Sequence, residues 1–530
     1  MIEITNPFLS RTLATISDVS LDEIVYLFDK TRDLKEAIAS GKKDIIETFK
    51  INDPQFGIYE VFLEDSTRTK ESFQNAAKFH NVKFNIFDSN HSSINKMESY
   101  ADTFNNLIGY DNFIFIVRSK LEGVCRWLDI SGKKYALRHN FPALPAFINA
   151  GDGKHEHPTQ ELLDEFTFLE DNDWDRSNIH IALVGDLFHG RTVHSKVDGL
   201  RIFREVRVDM IAPPEISMPQ HYIQRMKTNG FEVRVFDSIA EYLAQDNIAS
   251  KWYFTRPQLE RMGEKILNRQ KELRGKITFT EEYMDKIPDG TGFYHPLPRH
   301  KEHPTIPTFI DTTVLNRYER QSRNGYYTRN ILLSAVAGKI GADFSGQPFQ
   351  QPEYIDDFVI SINPGPKKKE EPQEGIRPIH EGIFIDHICK GEPPEKIWKH
   401  LPLIIRIVGF YDVGYAGVGM SHTNYNVYKG LIAVPRHKGL DQTQIKQLAA
   451  VAPGCTLNII KGDKVVEKYR LNMPPRIYQF DEISCRNPNC ISSEQLFEGV
   501  LKEFYRDGER TFMCKYCDTP HSFKEIWKTE

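Results

Sequence analysis

The chain has 530 residues, 40% of them hydrophobic and 27% charged, which is typical of a globular protein with three or four domains. Its formal net charge of −5 gives no overall attraction to nucleic acid or an anionic membrane, so any anion site must be local. The sequence shows neither a secretory signal pattern nor an apolar run of about 18 residues, which predicts a cytoplasmic protein without a membrane span.

Strand and helix patterns alternate through the first 340 residues. Apolar residues at helical spacing predict a helical segment over residues 11–40, and a long helix over Asn330–Lys339 closes this half. The predicted strands are Ile58–Leu63, Phe84–Phe87, Phe113–Val117, Ala146–Asn149, Ile179–Val184, Val208–Ala212 and Val233–Phe236. This alternation predicts an α/β fold with two parallel sheets, one in residues 1–150 completed by a helix within 320–345, and one in residues 151–319.

The composition changes after this half of the chain. Many prolines and a charged run predict an extended linker over residues 346–375. Residues 376–474 then predict a small α+β (ferredoxin-like) domain, followed by a cysteine-bearing β domain over 475–530. The predicted elements of the α+β domain are strands at Leu403–Gly409, Tyr428–Val434, Thr456–Ile460 and Lys464–Arg470 and a helix at Gln442–Val451.

Three hydroxyls and an arginine occur together where the first predicted strand gives way to a helix. These residues are Ser66, Thr67, Arg68 and Thr69. A helix N-terminus offers unpaired N–H groups to an anion, and a guanidinium suits phosphate. An ordinary Ser/Thr cap beside a solvated arginine explains the same residues, so the segment alone leaves both interpretations open.

Two further segments place polar groups beyond the ends of predicted strands. Arg118 ends the apolar run Phe113–Val117, at the edge where open α/β sheets bind ligands, although an ordinary surface arginine remains open. With Arg68 it would clamp a dianion. His157 precedes a helix that begins at Pro158, where an imidazole N–H can polarise a carbonyl or serve only structure.

Later turns carry more candidate anion ligands. Arg191 follows a glycine-rich turn and could hold a carboxylate, and Arg256 with Gln258 supplies another set of donors to an anion. His295–Arg299 is a rigid proline-rich turn whose backbone carbonyls are free to accept hydrogen bonds. Each of these turns, taken alone, is also compatible with an ordinary surface loop.

Taken in order, these motifs resemble the aspartate carbamoyltransferase family over nearly all of residues 1–340. Residues 376–530 resemble the family's regulatory chain, here fused through the linker. The resemblance implies that residues 1–150 bind carbamoyl phosphate, that residues 151–319 bind L-aspartate, and that the products are N-carbamoyl-L-aspartate and phosphate, an early step of pyrimidine synthesis.

The resemblance also implies residue roles. The residues expected to hold the phosphate are Ser66, Thr67, Arg68, Thr69 and Arg118. Thr69, Arg118 and His157 are expected to polarise the carbamoyl oxygen, with Arg68, Thr69, Arg118 and His157 as the catalytic set. Gln160, with the backbone at Leu297 and Pro298, would bind the carbamoyl amide, and the aspartate carboxylates would be bound by Arg191, Arg256 and Gln258. Ser92 and Lys96, the latter also touching aspartate, would enter from a neighbouring subunit of a trimer or a multiple of trimers.

Four of the seven cysteines cluster near the end of the chain as two close pairs, Cys485 with Cys490 and Cys514 with Cys517. In a cytoplasmic chain such pairs favour a metal over disulfides, and four thiolates predict a structural Zn²⁺ site. By resemblance this is the zinc domain through which regulatory chains grip catalytic chains.

The domain before it resembles the family's nucleotide-binding domain, which implies ATP or CTP as effectors near Asp386 and Lys468. A lysine that contacts the nucleotide in the family is replaced near Ala433, which predicts weakened or altered effector binding.

Two alternatives remain at this stage. An ornithine-type carbamoyltransferase would share the phosphate motif, but Thr159 and Pro296 occupy positions where that type typically carries cysteine. A non-catalytic phosphate sensor would use the zinc domain to bind a partner. The cysteine region is not strongly interleaved with basic residues, so no nucleic acid partner is expected.

Overall fold

The computed structural model describes residues 6–87, 98–258, 269–355, 357–364, 379–421, 424–493 and 499–528, without the side chains of 424–426. The chain divides into two compact units, one formed by residues up to Gln350 and the other by most of the remaining chain. None of the helices in these ranges has the length and apolar character that a membrane crossing needs.

The first unit is an α/β structure. Its strands are β1 (Gly57–Phe62), β2 (Lys83–Ile86), β3 (Asn112–Ser119), β4 (Ala146–Asp152), β5 (Asn178–Val184), β6 (Glu205–Ile211), β7 (Glu232–Phe236), β8 (Lys251–Phe254) and β9 (Gly292–Tyr294). Its α-helices are α1 (Leu21–Ser40), α2 (Lys43–Phe49), α3 (Thr67–His80), α4 (Tyr100–Ile108), α5 (Val124–Arg138), α6 (Pro158–Glu170), α7 (Arg191–Gly199), α8 (Gln220–Thr228), α9 (Ile239–Tyr242), α10 (Gln270–Ile277) and α11 (Tyr318–Val336). Short 3-10 helices lie at Ile16–Asp18, Leu200–Ile202, Pro214–Ile216, Glu281–Lys286 and Thr308–Thr312.

The strands form two parallel sheets, with the orders β2-β1-β3-β4 and β7-β6-β5-β8-β9. The prediction of two parallel sheets is confirmed. The central strands are apolar without alternation, and Ile114 to Val117 are all buried. This is expected of parallel strands that are covered on both faces.

Several predicted boundaries in this unit differ from the structure. The helix expected from residue 11 begins only at Leu21, because Ser20 caps it in a capping box with Glu23. The final helix is longer than expected and runs over Tyr318–Val336. Strands β8 and β9 have four and three residues and were not predicted, because such short segments give too little periodic signal.

The second unit contains two antiparallel sheets. Its helices are α12 (Pro394–Val408) and α13 (Gln442–Val451). Its strands are β10 (Val359–Ile362), β11 (Gly382–Ile388), β12 (Tyr415–Ser421), β13 (Asn424–Pro435), β14 (Thr456–Lys461), β15 (Lys464–Leu471), β16 (Arg476–Tyr478), β17 (Glu503–Arg506), β18 (Thr511–Cys514) and β19 (Pro520–Ser522). The sheet orders are β10-β15-β14-β11-β13-β12 and β16-β17-β18-β19, which agrees with the predicted α+β domain and following β domain.

Two predictions for this unit need correction. The segment Leu403–Gly409, predicted as a strand, is the last part of α12. Its apolar run is short enough to fit either element, and the helix is decided by the buried series Ile397, Leu401, Ile404 and Val408 at helical spacing. The predicted linker also contains β10, which pairs with β15 in an antiparallel ladder.

Candidate active site

The carboxyl ends of β1 and β3 lie side by side. Phe62 is in register with Arg118, and the N–H of Leu63 donates to the Arg118 carbonyl at 2.8 Å. The sheet therefore places the segment that follows β1 next to the Arg118 side chain, as expected for ligand-binding groups of an open α/β sheet.

Helix α3 begins within this segment. Ser66 is its N-cap residue, but the Ser66 side chain makes no capping hydrogen bond, and Thr69 is buried on the first turn. The structure therefore favours an anion cradle over the ordinary cap, because the hydroxyl that would satisfy the helix end is not used for it. Burial lowers the pKa of Arg68 to about 10, and the guanidinium is still charged at neutral pH.

Glu64 joins two of the candidate arginines. Its Oε2 lies 3.3 Å from Arg118 Nη2 and accepts a hydrogen bond from Arg191 Nη2 at 2.9 Å. Arg118 Nη1 also donates to the carbonyl of Ala150 at 3.0 Å. A Cβ on Gly151 would approach within 2.9 Å of Arg118 Nη1 and 3.1 Å of Arg191 Cζ, so glycine leaves room for both guanidiniums.

His157 lies buried at the start of α6. Its backbone N–H donates to Ser195 Oγ at 3.0 Å, and its ring Nδ1 lies 3.3 Å from Thr159 Oγ1. Burial, followed by the positive charges of Arg118 and Arg191, holds the pKa of His157 well below its usual range. The imidazole is therefore neutral at physiological pH and has a single N–H to donate.

The second sheet brings the later motifs to one edge. Strands β5, β8 and β9 are neighbours, with Val184 in register with Phe254 and Tyr253 in register with Tyr294. The turns that follow these strands are therefore adjacent. Asp186 accepts hydrogen bonds from the N–H groups of His189 at 2.8 Å and Gln258 at 2.9 Å, which fixes the turn that carries Arg256.

The proline-rich turn adjoins both halves of this site. The Leu297–Pro298 peptide bond is cis, and the N–H of Leu297 donates to His295 Nδ1 at 2.7 Å. Burial, and then the charges of Arg68, Arg299 and Arg256, lower the pKa of His295 to about 3. Arg68 follows a strand of the first sheet and Arg256 follows one of the second. That the two edges converge is shown by Glu64, which contacts both Arg118 at the end of β3 and Arg191 after β5.

The structure thus gathers most of the predicted residues around one positively charged region, whereas Ser92 and Lys96 lie outside the described residues. Sequence reasoning assigned no role to Glu64, although it lies only two residues before Ser66. It also missed Arg329, a buried arginine of α11 that lies over the Phe73 ring. Arg329 is far from the other motifs in sequence, and no local pattern marks it.

The four clustered cysteines come together in the last part of the chain. The sulfurs of Cys485, Cys490, Cys514 and Cys517 are buried and lie within 4.8 Å of one another. Cys485 Sγ and Cys517 Sγ are 3.7 Å apart. A tetrahedral ion with metal–sulfur bonds of about 2.3 Å requires sulfurs roughly 3.8 Å apart, so the arrangement fits a metal site.

His521 lies beside this cluster without being a further ligand candidate. Its Nε2 accepts a hydrogen bond from the N–H of Arg486 at 2.9 Å, and its Nδ1 lies 2.8 Å from the carbonyl of Thr519. Both ring nitrogens are thereby engaged, and the four thiolates are left to complete the coordination.

In the α+β domain, Lys429 Nζ donates to Asp386 Oδ2 at 2.8 Å. Sequence reasoning named Asp386 but missed Lys429, which comes next to it only through the pairing of β11 with β13. Lys468, on β15, adds to the positive charge that acts on the neighbouring His387. Ala433 is buried in β13, four residues beyond Lys429, and offers no charge at that position.

Family comparisons agree with this architecture. Residues 11–170 and 177–336 match the carbamoyl-P binding and Asp/Orn binding domains of aspartate/ornithine carbamoyltransferase. Residues 374–472 and 475–527 match the allosteric and metal binding domains of the aspartate carbamoyltransferase regulatory chain.

Full-length relatives carry the same arrangement. The chain is 55% identical to protein PyrBI of Treponema denticola and 53% identical to protein PyrBI of Thermotoga maritima, in each case over 98% of this chain and 99% of the relative. Among solved structures, aspartate transcarbamoylase of Trypanosoma cruzi with carbamoyl phosphate and aspartate is 26% identical, with a TM-score of 0.54 over 63% of this chain and 99% of that one.

The fold and the site therefore define a carbamoyltransferase of the two-domain α/β type. More narrowly, the chain belongs to the aspartate carbamoyltransferase family, with the regulatory-chain domains fused behind the catalytic ones.

Proposed function

We propose that the enzyme transfers the carbamoyl group of carbamoyl phosphate to L-aspartate, for pyrimidine synthesis, in the positively charged region around His157. Residues 1–150 with α11 are assigned to carbamoyl phosphate, and residues 151–319 to aspartate. The observation that carries the proposal is the meeting of Arg118, from the first sheet, and Arg191, after a strand of the second, on the single carboxylate oxygen Glu64 Oε2.

The phosphate end of the first substrate would lie at the N-terminus of α3. The residues assigned to it are Ser66, Thr67, Arg68, Thr69 and Arg118. The dipole of the helix, its unpaired N–H groups and two guanidiniums all favour a dianion there. Glu64 holds Arg118 in the direction of Arg191, so both arginines are oriented before a ligand arrives.

The chemical step requires stabilisation of a developing oxyanion. When the aspartate amine attacks the carbamoyl carbon, negative charge builds on the carbonyl oxygen. The donors assigned to this oxygen are Thr69, Arg118 and the imidazole N–H of His157. A preorganised donor of this kind contributes roughly 3 kcal/mol. A neutral imidazole donates without giving up its proton, and the departing phosphate can accept the proton from the amine.

The aspartate carboxylates are assigned to Arg191, Arg256 and Gln258, and the carbamoyl amide to Gln160 with the backbone of Leu297 and Pro298. Two arginines suit a dicarboxylic acceptor, whereas the amine side chain of ornithine would be repelled. Aspartate transcarbamoylase of Trypanosoma cruzi has been solved in complex with carbamoyl phosphate and with carbamoyl phosphate and aspartate, which supports the same pair of substrates here.

Ser92 and Lys96 are assigned to the active site of a neighbouring subunit, which makes the catalytic assembly a trimer or a multiple of trimers. Complementation tests this arrangement. Lys96→Ala and Arg68→Ala variants, each inactive alone, should regain activity when mixed trimers form. Mixed trimers without any activity would exclude shared sites.

We also assign Zn²⁺ to the four clustered cysteines, in a structural role because four thiolates fill a tetrahedral shell. A cytoplasmic location is part of the proposal, since thiolates stay reduced there. ATP and CTP are assigned to the surface around Asp386 and Lys468, with Lys429 as a third contact.

The reaction is tested by measuring carbamoyl-aspartate and citrulline formation with aspartate and ornithine as competing acceptors. Only carbamoyl-aspartate should form. An Arg256→Ala variant should raise the KM for aspartate, whereas Arg207→Ala, which removes a surface arginine paired with Glu232, should not. Turnover of ornithine in preference, or of neither acceptor, would overturn the proposal.

A further inference from the structure

A cluster of fully buried ionisable side chains lies between α6 and α7, beside the candidate site. Glu161, Asp164, Glu165 and Lys196 all have 0% relative exposure. Lys196 Nζ donates to Glu161 Oε2 and to Asp164 Oδ2, both at 2.8 Å. A buried ion pair contributes little net stability compared with apolar residues of similar volume, so stability alone does not account for this cluster.

Asp164 is the acceptor at the centre of the cluster. Its Oδ1 accepts hydrogen bonds from Gln160 Nε2 at 2.8 Å and from Gln321 Nε2 at 2.5 Å, and its Oδ2 accepts the one from Lys196. With three donors directed at its two oxygens, one of them the Lys196 ammonium, Asp164 acts as an acceptor in all three contacts, as a carboxylate does.

The ionised carboxylate determines which way two glutamine amides face. Both glutamines must turn their NH₂ groups toward Asp164, because a carboxylate has no proton to offer. The second contact of Gln321 agrees with this orientation, because its Oε1 accepts a hydrogen bond from the backbone N–H of His295 at 2.9 Å. At Gln160 the same rule leaves Oε1 pointing away from Asp164.

Gln160 lies one helical turn from His157, with its backbone N–H donating to the His157 carbonyl at 2.9 Å. Among the described residues, no donor to its Oε1 is present, so this oxygen is available to a ligand at the N-terminus of α6. An amide oxygen accepts an N–H but gains nothing from a methyl group.

We propose that Lys196 is a positioning residue for substrate selection. By donating to Asp164 Oδ2, it holds this carboxylate in place as the acceptor of the Gln160 NH₂ group, so that Oε1 faces the substrate and selects a carbamoyl NH₂ over a methyl group. The proposal rests on the proposed function, which assigns Gln160 to the carbamoyl amide. Lys196 itself touches no substrate.

Glu165 adds no negative charge to the cluster. Burial, and then the nearby Glu161, hold the pKa of Glu165 well above its usual range, so this carboxyl carries a proton. The aromatic rings of Tyr253 and Phe168 lie 4.0 and 5.3 Å from Lys196 Nζ. The apolar stem and these rings would accommodate a methionine in place of the lysine.

The test compares carbamoyl phosphate with acetyl phosphate, which differs from it by a methyl group in place of the NH₂. For the wild type and Lys196→Met, the KM for carbamoyl phosphate and the inhibition constant of acetyl phosphate are measured in the full-length enzyme. We expect the preference for carbamoyl phosphate to fall about tenfold in the variant, the magnitude of one lost hydrogen bond. The KM for aspartate should change less than twofold.

The matched control is Arg234→Met, which removes a cation from the buried Asp209 of the second sheet, bound at 2.6 and 2.7 Å. It should leave the preference unchanged. If Lys196→Met does not fold, the isosteric Asp164→Asn takes its place, because an asparagine can donate to Gln160 and release its amide.

An unchanged preference in a folded variant, with both constants shifted together, would show a structural role only and overturn the inference. A wild type without any preference for carbamoyl phosphate would overturn it as well. Failure of the proposed function is distinguishable, since it would appear as the absence of carbamoyl-aspartate in the wild type.

Discussion

Both units bury charge-bearing groups, but the structures that hold these groups differ. In the first unit, Lys196 and its carboxylates lie among helices and sheets that share one extensive apolar core. Toward the end of the chain, the four cysteines lie near strands β16 to β19, which have only three or four residues each. Such short strands bury little apolar surface, so a metal held by the four thiolates would contribute to their stability.

The comparison indicates how each unit uses its charges. A large core can hold an ion pair at little net cost or gain, which leaves that pair free to orient substrate-binding groups. Near the end of the chain, a metal bound to the four thiolates would couple metal binding to folding, so the charges there would stabilise the fold itself.

The largest effect should come from removal of a cluster cysteine. Cys490→Ser should abolish binding of one metal ion per chain and unfold the last part of the chain, because structural zinc contributes about 10 kcal/mol or more to such folds. Metal analysis and limited proteolysis measure both effects. Cys455→Ser, which alters a buried cysteine outside the cluster, should retain the metal. Retention of metal by Cys490→Ser would contradict the assignment.

The next largest effect concerns the charges at the active site. Arg118→Ala should lower kcat/KM for carbamoyl phosphate by about 10³, because it removes a donor to the phosphate and to the oxyanion at once. Arg207→Ala serves again as the surface control. A loss smaller than tenfold for Arg118→Ala would show that the guanidinium is not at the reacting group.

The first unit should also lose stability on acidification. Burial lowers the pKa of His80 to about 4, and the neutral ring accepts the Ile51 N–H at its Nδ1 and lies 2.9 Å from the Asn330 carbonyl at Nε2. Because the folded pKa lies below the ordinary value of 6.5, its contribution is complete above pH 6.5 and is lost as the pH falls toward 4.

This contribution is isolated by comparing the wild type with His80→Gln, which keeps a donor and an acceptor but does not titrate. Between pH 7 and pH 5 the wild type should lose about 2 kcal/mol more in its free energy of unfolding than the variant does. Denaturant titration at the two pH values measures this difference. Equal losses would mean that His80 is not buried in its neutral form.

The smallest effect is expected at the ion pair between Asp386 and Lys429. Lys429→Met should lower the free energy of unfolding by about 1 kcal/mol or less, since the pair is only partly shielded from water. Activity without nucleotide should be unchanged, and binding of ATP and CTP should weaken. Lys461→Met, at an exposed position on β14, is the control. Undiminished nucleotide binding would remove Lys429 from the effector surface.

Much of the architecture follows from local sequence signals. The apolar runs of the parallel strands predict their positions because both faces are covered, and the paired cysteines predict a metal cluster because close spacing places two thiolates on one turn. The hydroxyl segment at the start of α3 was ambiguous by itself, and only the ordered set of later motifs indicated a function for it. The strand predicted at Leu403–Gly409 was wrong because a short apolar run fits a helix equally well.

What the sequence by itself determined is the chemistry of the catalytic motifs and their order along the chain. The tertiary structure alone decided which charges meet. Glu64 joins Arg118 to Arg191, and Lys429 on β13 contacts Asp386 on the neighbouring strand β11. Lys196 is of a residue type that is usually exposed, but here it is buried in contact with Asp164. The physical reason is that periodicity reports how an element faces its own neighbours, whereas these contacts depend on how distant elements pack together.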